Sequence, residues 1–546
     1  MSSLQHSTPQ SLPHDYAILS HFNEDSHPFP DVHNEEPESS HPRGIPIRQR
    51  GSMANVSERT PLLRQDPPIP CIHETVDENV CIAQVNEQTP SASIFREELG
   101  ILVRYSLPVF GTHIFEYSFI LASVVVIGHL STLALASSTL GMMTASVTGY
   151  SIVQGFSSAL DTLLPPAWTS DTPHMVGLWT QRMILMTAFA LVPILAIWLN
   201  AEPILLMLHQ DPDVARLAAV YLKCSSWGLP AYTFNCISRR YFQSQGLFTV
   251  PTKIILVIAP INAFLNWFFV HPLGLGFPGA PIATSLCLNL VSVVSIVYAY
   301  FFVPRTAWAP LGTGVWNGWG VLARLGVAGI GQIASEWWSW ELVGLAASFL
   351  GPITLAAQSV LLLSASCTYQ APFALSVATS VRIGNLLGQG KAERAGLVAR
   401  TSIFMAISMA GIWSTLFLVF RNKWAYLFNN DPEVVLLVAS ILPLAALFQV
   451  FDGTSGVVSG ILRAREMQVA GALLNLSAYY LLGIPLGLVL AFHFGLGLAG
   501  LWTGLTAALV YSSTIGTFIA VFRVDWEFEV EKARGRVGSK GISQAI

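Results

Sequence analysis

Residues 434–460 read VVLLVASILPLAALFQVFDGTSGVVSG, an apolar run that needs only about 20 helical residues to cross roughly 30 Å of hydrocarbon, with one acid, Asp452, set inside it. It opens on Asn430-Asp431-Pro432-Glu433-Val434, which returns almost unchanged as Gln210-Asp211-Pro212-Asp213-Val214 before an earlier apolar run.

Twelve runs are found, at approximately 101–127, 136–163, 178–199, 214–236, 250–270, 279–303, 321–350, 354–379, 401–420, 434–460, 468–493 and 496–521. A transmembrane barrel would show alternating segments about half as long, so the fold class expected is all-α and polytopic. Composition agrees. The chain of 546 residues is 52% hydrophobic and 11% charged, whereas soluble domains spend about a quarter of their residues on charge. Net charge is -4, with acids crowded into the first hundred positions, which argues against a nucleic-acid partner. Cys71, Cys81, Cys224, Cys236, Cys287 and Cys367 contain no C-x-x-C pair, so they read as packing residues rather than zinc or redox ligands. The first apolar run begins near Ile101, and no N-terminal secretory signal is read.

Residues 1–96 are rich in Pro, Ser, His, Glu and Asp and are expected to be a disordered cytosolic tail. Within it, Glu58 stands four residues before Leu62-Leu63, a pattern resembling dileucine sorting signals read by adaptor complexes on the way to vacuoles or lysosomes. Asn55-Val56-Ser57 is a glycosylation sequon that matters only if the tail faces a lumen. Lys and Arg alternate between connections as cytoplasmic retention requires. Arg239, Arg240 and Lys253 flank the fourth, Arg305 and Arg324 the sixth, Arg382, Lys391, Arg394 and Arg400 the eighth, and Arg463 and Arg465 the tenth. The loops between are nearly bare, Arg421 and Lys423 excepted, so both termini are expected in the cytosol.

Segments 1–6 overlay segments 7–12 at an offset of about 220 residues. Besides the opening pair, Gly276-x-x-Gly279 matches Gly497-x-x-Gly500, and Ala136-Ser137-Ser138-Thr139-Leu140 matches Ala357-Gln358-Ser359-Val360-Leu361. Six helices per half make the repeat parallel. Two pseudo-symmetric six-helix bundles are therefore expected, an N-lobe over 97–304 and a C-lobe over 305–523, followed by a cytosolic tail over 524–546, with a substrate cleft between the lobes.

Several stretches then form a family pattern. Ser106-Leu107-Pro108, Gly128-His129-Leu130, Thr148-Gly149-Tyr150, the run Gln154-Gly155-Phe156-Ser157-Ser158-Ala159-Leu160-Asp161-Thr162-Leu163, Ala356-Ala357-Gln358-Ser359 before Leu361, and Arg382-Ile383-Gly384-Asn385-Leu386-Leu387-Gly388 are its pieces. Taken in order, they resemble the multidrug and toxic compound extrusion (MATE) family, in its eukaryotic, fungal-like branch, over about 97–523. The resemblance implies a two-lobed secondary antiporter that expels organic, mostly cationic compounds in exchange for protons or sodium ions. The chain departs from the pattern at Leu164-Pro165-Pro166-Ala167, where many members carry Cys-Gly-Gln-Ala; the prolines are expected to stop the second helix sharply.

An acid inside the bilayer costs roughly 2.5 to 3.5 kcal/mol on insertion scales, so each needs a partner, a proton or a task. Glu336 and Glu341 in the seventh segment and Asp452 in the tenth match second-lobe acids that the family uses for cation coupling. Glu336 and Glu341 are separated by about 140° around a helix, so one is expected to face Asp452 and the other the cleft. His113 and Glu116 share a face of the first helix and are candidates for a second coupling site. Gln332, Trp337, Trp340, Gln358 and Gln154 are candidate cleft residues, the tryptophans, Trp338 among them, through cation–π contact. Asp161 is expected to pair with Arg239 or Arg240, and Arg382 and Arg463 to anchor the interface. No phosphate-binding loop ending in Gly-Lys-Ser/Thr, His-Glu-x-x-His or Gly-x-Ser-x-Gly occurs, so neither enzyme activity nor ATP drive is expected.

The sequence is expected to encode a proton- or sodium-coupled exporter without cofactor or metal, monomeric, in the vacuolar or plasma membrane. Its partners are a small-molecule substrate, the lipid bilayer and an adaptor at the dileucine motif. The alternative is a lipid or lipid-linked glycan flippase of the same superfamily, which would line its cleft with basic rather than acidic residues.

Overall fold

The computed structural model describes residues 91–310 and 312–537. The sorting signal Glu58, Leu62, Leu63 and the sequon at Asn55 lie outside these residues, as does most of the expected tail. The described residues form helices α1 Ser91–Gly128, α2 132–168, α3 Met175–Leu199, α4 212–244, α5 Thr249–Val270, α6 Gly279–Phe302, α7 Trp319–Ser348, α8 Pro352–Gly388, α9 Ala392–Val419, α10 Pro432–Ala464, α11 Gln468–His493, α12 Gly497–Phe522 and α13 Trp526–Val537. Nine of the first twelve are long and apolar enough to cross a membrane. The other three are α2 and α4, which are interrupted, and α7, which carries Arg324, Glu336 and Glu341.

The repeated motifs do the same local work in each half. Asp211 and Asp431 both cap a helix that has proline at its first position, accepting from the backbone N–H of Asp213 at 3.0 Å and of Glu433 at 2.9 Å. Gly276 and Gly497 both take the left-handed conformation, at φ 61° and 55°. Three residues on, Gly279 and Gly500 let α6 approach the end of α5, and α12 the end of α11. A Cβ at Gly500 would stand 2.5 Å from the Ala491 nitrogen.

In α2 the Thr148-Gly149-Tyr150 motif forms a wider π turn, Ser146–Tyr150. Gly149 leaves room for Trp198 of α3, whose indole N–H donates to Thr148 Oγ1 at 2.9 Å. The prolines do not end the helix at once: its last piece, Ala159–Trp168, runs through Pro165 and Pro166. Both rings lie against Gly384, and Pro166 also meets Gly388 of α8. The departure from the family pattern is thus a packing surface between the lobes.

Two boundaries and one topology argument are corrected, and one helix is added. Helix α1 starts at Ser91, inside the range assigned to the tail, because Glu97 and Glu98 pair with Arg394 and Arg382. The range 524–546 contains α13, capped by Asp525 and held by Glu529 to Arg465 at 2.9 Å. Helix α8 extends to Gly388, nine residues past its expected end, because its last turns are buried by α2, α9 and α10. Finally, Arg239 and Arg240 are not loop charges: they lie inside α4, paired with acids on α1 and α2.

The lobes meet where α2 crosses α7 and where α1 crosses α8. Small residues allow the first crossing: a Cβ at Gly155 would stand 2.5 Å from the Ile330 Cα. Hydrogen bonds between the lobes run from Trp338 Nε1 to the Val147 carbonyl, 3.1 Å, down to Thr169 Oγ1 and the Asn385 carbonyl, 2.8 Å. This series leads from mid-helix to the arginine-rich ends. The opposite end of α2, Thr132–Ala145, packs on α4 and α1 of its own lobe.

Candidate functional site

The acids fall into two groups with different surroundings. In the first lobe, Arg239 donates to Glu116 through both terminal guanidinium nitrogens, Nη1 and Nη2, and His113 Nδ1 lies 3.3 Å from the same carboxylate. Beside them Arg240 donates to Asp161 at 2.9 Å, to the Cys236 carbonyl at 2.9 Å and to Gln154 Oε1 at 3.4 Å. Every first-lobe acid inside the membrane is therefore matched by an arginine among the described residues.

Helix α7 delivers Glu336 into the second lobe, where it lies within electrostatic reach of Asp452 on α10. Tyr369 of α8 and Tyr479 of α11 face both carboxyls. Asp452 is 5% exposed, and among the described residues neither its carboxyl nor that of Glu336 has a hydrogen-bond or ion-pair partner. Glu341 is half-buried on the same helix and has no ion-pair partner among the described residues. Glu336, rather than Glu341, is the glutamate that joins Asp452.

The cleft candidates separate. Gln332 is 2% exposed and sits in the notch left by Gly471 of α11, with both amide atoms unpartnered. Gln358 accepts from Trp502 Nε1 at 2.8 Å inside the second lobe. Trp340 packs edge-on against Phe448 and Trp502 in that lobe's core. Gln154 is tied to Arg240, and Trp337 is 37% exposed. Trp338, not Trp340, reaches across to the first lobe.

Sequence reading did not bring out Tyr369 and Tyr479, whose signal was a hydroxyl aromatic within an apolar helix. Nor did it join Asp161 to Arg463, whose Nε stands 3.3 Å from Asp161 Oδ2 across the lobe boundary. Arg463 Nη2 also donates to Ser376 at 3.1 Å, and its carbonyl accepts from Thr162 Oγ1 at 2.5 Å. Arg382 likewise spans the boundary, holding Glu98 at 2.7 and 2.8 Å.

Comparison with known proteins agrees with this architecture. The MatE family model matches twice, at residues 108–268 and 329–489, with one interval separating both the starts and the ends. An uncharacterised transporter of Schizosaccharomyces pombe is 36% identical over 89% of this chain and 92% of its own. Multidrug and toxin extrusion protein 2 of Mus musculus is 32% identical over 83% of this chain and 79% of its own. The crystal structure of the eukaryotic MATE transporter AtDTX14 superposes with a TM-score of 0.77 at 30% identity, covering 81% of this chain and all of that one. A doubled family match, relatives along nearly the whole membrane region and a shared two-lobed fold place this integral membrane protein in the MATE family of multidrug and toxin extrusion transporters.

Proposed function

We propose that the protein is a secondary antiporter that moves organic, chiefly cationic compounds out of the cytosol in exchange for protons, by alternating access between its lobes. The observation that carries the proton coupling is the unpartnered state of Glu336 and Asp452. An arginine-bound carboxylate such as Glu116 is already neutralised where it stands. A carboxyl without a partner exchanges a proton or a cation as water or substrate reaches it. One charge moved through 100 mV yields about 2.3 kcal/mol, comparable to the cost of changing one carboxyl's state in the membrane. Reading the arginine-rich side as cytosolic, the described conformation closes that side.

Acidic rather than basic residues at this position favour organic cations over lipid headgroups. The vacuolar or plasma membrane is the proposed site of action. Purified protein in liposomes, given an outward-directed proton gradient, accumulates a fluorescent organic cation; Glu336→Gln and Asp452→Asn abolish the gradient-driven part. Accumulation by the variants equal to that of the unaltered protein would remove the assignment.

A further inference from the structure

Asp452, Gly456, Gly460 and Arg463 recur at spacings that keep them on one face of α10. That face lies on α8. Gly456 admits Tyr369, whose hydroxyl lies 3.0 Å from where a Cβ at 456 would stand, and Gly460 lies directly on Ser376. Ser376 Oγ donates to the Gly456 carbonyl at 2.6 Å and accepts from Arg463 at 3.1 Å. A continuous file thus leads from the second-lobe carboxyls to Arg463, which holds Asp161 of the first lobe.

Arg463 stands between two sets of acids. Asp161 and Glu336 both face it, as do the Tyr369 phenol and the like charge of Arg240. Toward the carboxyls, α7 contributes Glu336, α8 Tyr369, and α11 Tyr479 with Tyr480 beside it. The remaining neighbours are uncharged: α12 brings Ser512 to Ser455, and α9 brings Ala410 to Gly453. Arg240 keeps its own hydrogen bond to Asp161, so Asp161 retains a partner if Arg463 turns away. Turning therefore avoids leaving a bare buried charge, the costly outcome for an ion pair.

We propose that Arg463 is a positioning residue that passes the charge state of Glu336 and Asp452 to the contact between the lobes. With both carboxyls neutral it holds Asp161; when they ionise it turns to Glu336, the one of the two that faces it, and the lobes part at the arginine-rich end. The proposal rests on the proton-coupled reading above.

The test uses spin labels on the full chain in lipid nanodiscs, at Asp171→Cys in the first lobe and Lys391→Cys in the second, both exposed, with the native cysteines replaced. In this background the distance distribution is expected to move from short to long as pH is raised. Glu336→Gln combined with Asp452→Asn holds the short distance at all pH, and Asp161→Asn holds the long one. Arg463→Gln loses the pH-dependent shift, whereas Arg463→Lys, which keeps the charge and guards against misfolding, retains part of it. A full shift persisting in folded Arg463→Gln, or no shift in the unaltered background, would overturn the role of Arg463. Proton-driven accumulation is measured in parallel: if the unaltered protein shows none, the proton-coupled reading itself fails, and if it survives in Glu336→Gln and Asp452→Asn, the assignment of coupling to these carboxyls fails, both results separable from failure of the latch.

Discussion

Glu116 and Glu336 sit on corresponding helices of the two lobes, α1 and α7, yet one is bound by an arginine and the other, among the described residues, has no hydrogen-bond or ion-pair partner. The difference predicts opposite phenotypes. Glu116→Gln strips Arg239 of a charged hydrogen-bond partner and is expected to lower stability by roughly 1.5 to 3 kcal/mol, read as a fall in melting temperature, with the pH dependence of transport preserved. Glu336→Gln is expected to fold normally and lose that dependence. Asp452 was legible because it is the lone acid in a long apolar run. Its relation to Glu336, rather than Glu341, was not, because a spacing around one helix does not say which side the neighbouring helices occupy. The bond between Asp161 and Arg463 was hidden for the same reason, being set by how two lobes dock.

At the scale of elements, the apolar runs of the sequence coincide with all twelve helices, nine of them long and apolar enough to cross a membrane, since such a run has one stable form in lipid. Their ends were less legible. Hydropathy stops where hydrocarbon stops, while α1, α8 and α10 continue beyond it on ion pairs and protein contacts, as Glu98 with Arg382 shows. Helix α13 was missed because a short, charged helix has no membrane signature; it is held by Arg465, whose guanidinium also lies 5.7 Å from the Trp526 ring. The glycines of the repeat give a direct test of packing. Gly500→Ala places a methyl group against the α11 backbone and is expected to cost about 1 to 3 kcal/mol through overpacking, seen as earlier thermal unfolding in detergent. Gly495→Ala, where a Cβ meets nothing within 4 Å but φ is 69°, tests backbone strain alone and should cost less.

For the whole molecule, the internal repeat is the feature that sequence and structure share most fully: paired caps, paired glycines and a family match that occurs twice. The lobes also meet at residues that depart from the family pattern, notably Pro165 and Pro166 against Gly384 and Gly388. A Cβ at Gly388 would overlap the Thr169 hydroxyl. Thr169→Cys with Gly388→Cys should therefore join the lobes by a disulfide on oxidation, arresting transport, and release them on reduction. Transport that continues at full rate through the oxidised protein would show that the lobes need not part there.

The most direct measurement is proton movement itself. Liposomes holding the protein and an internal pH dye, with no imposed pH gradient, receive a gradient of an organic cation. A proton flux opposite in direction to the cation is expected, absent when Glu336→Gln and Asp452→Asn are combined. Cation movement without any proton flux in the unaltered protein would contradict the proton-coupled reading.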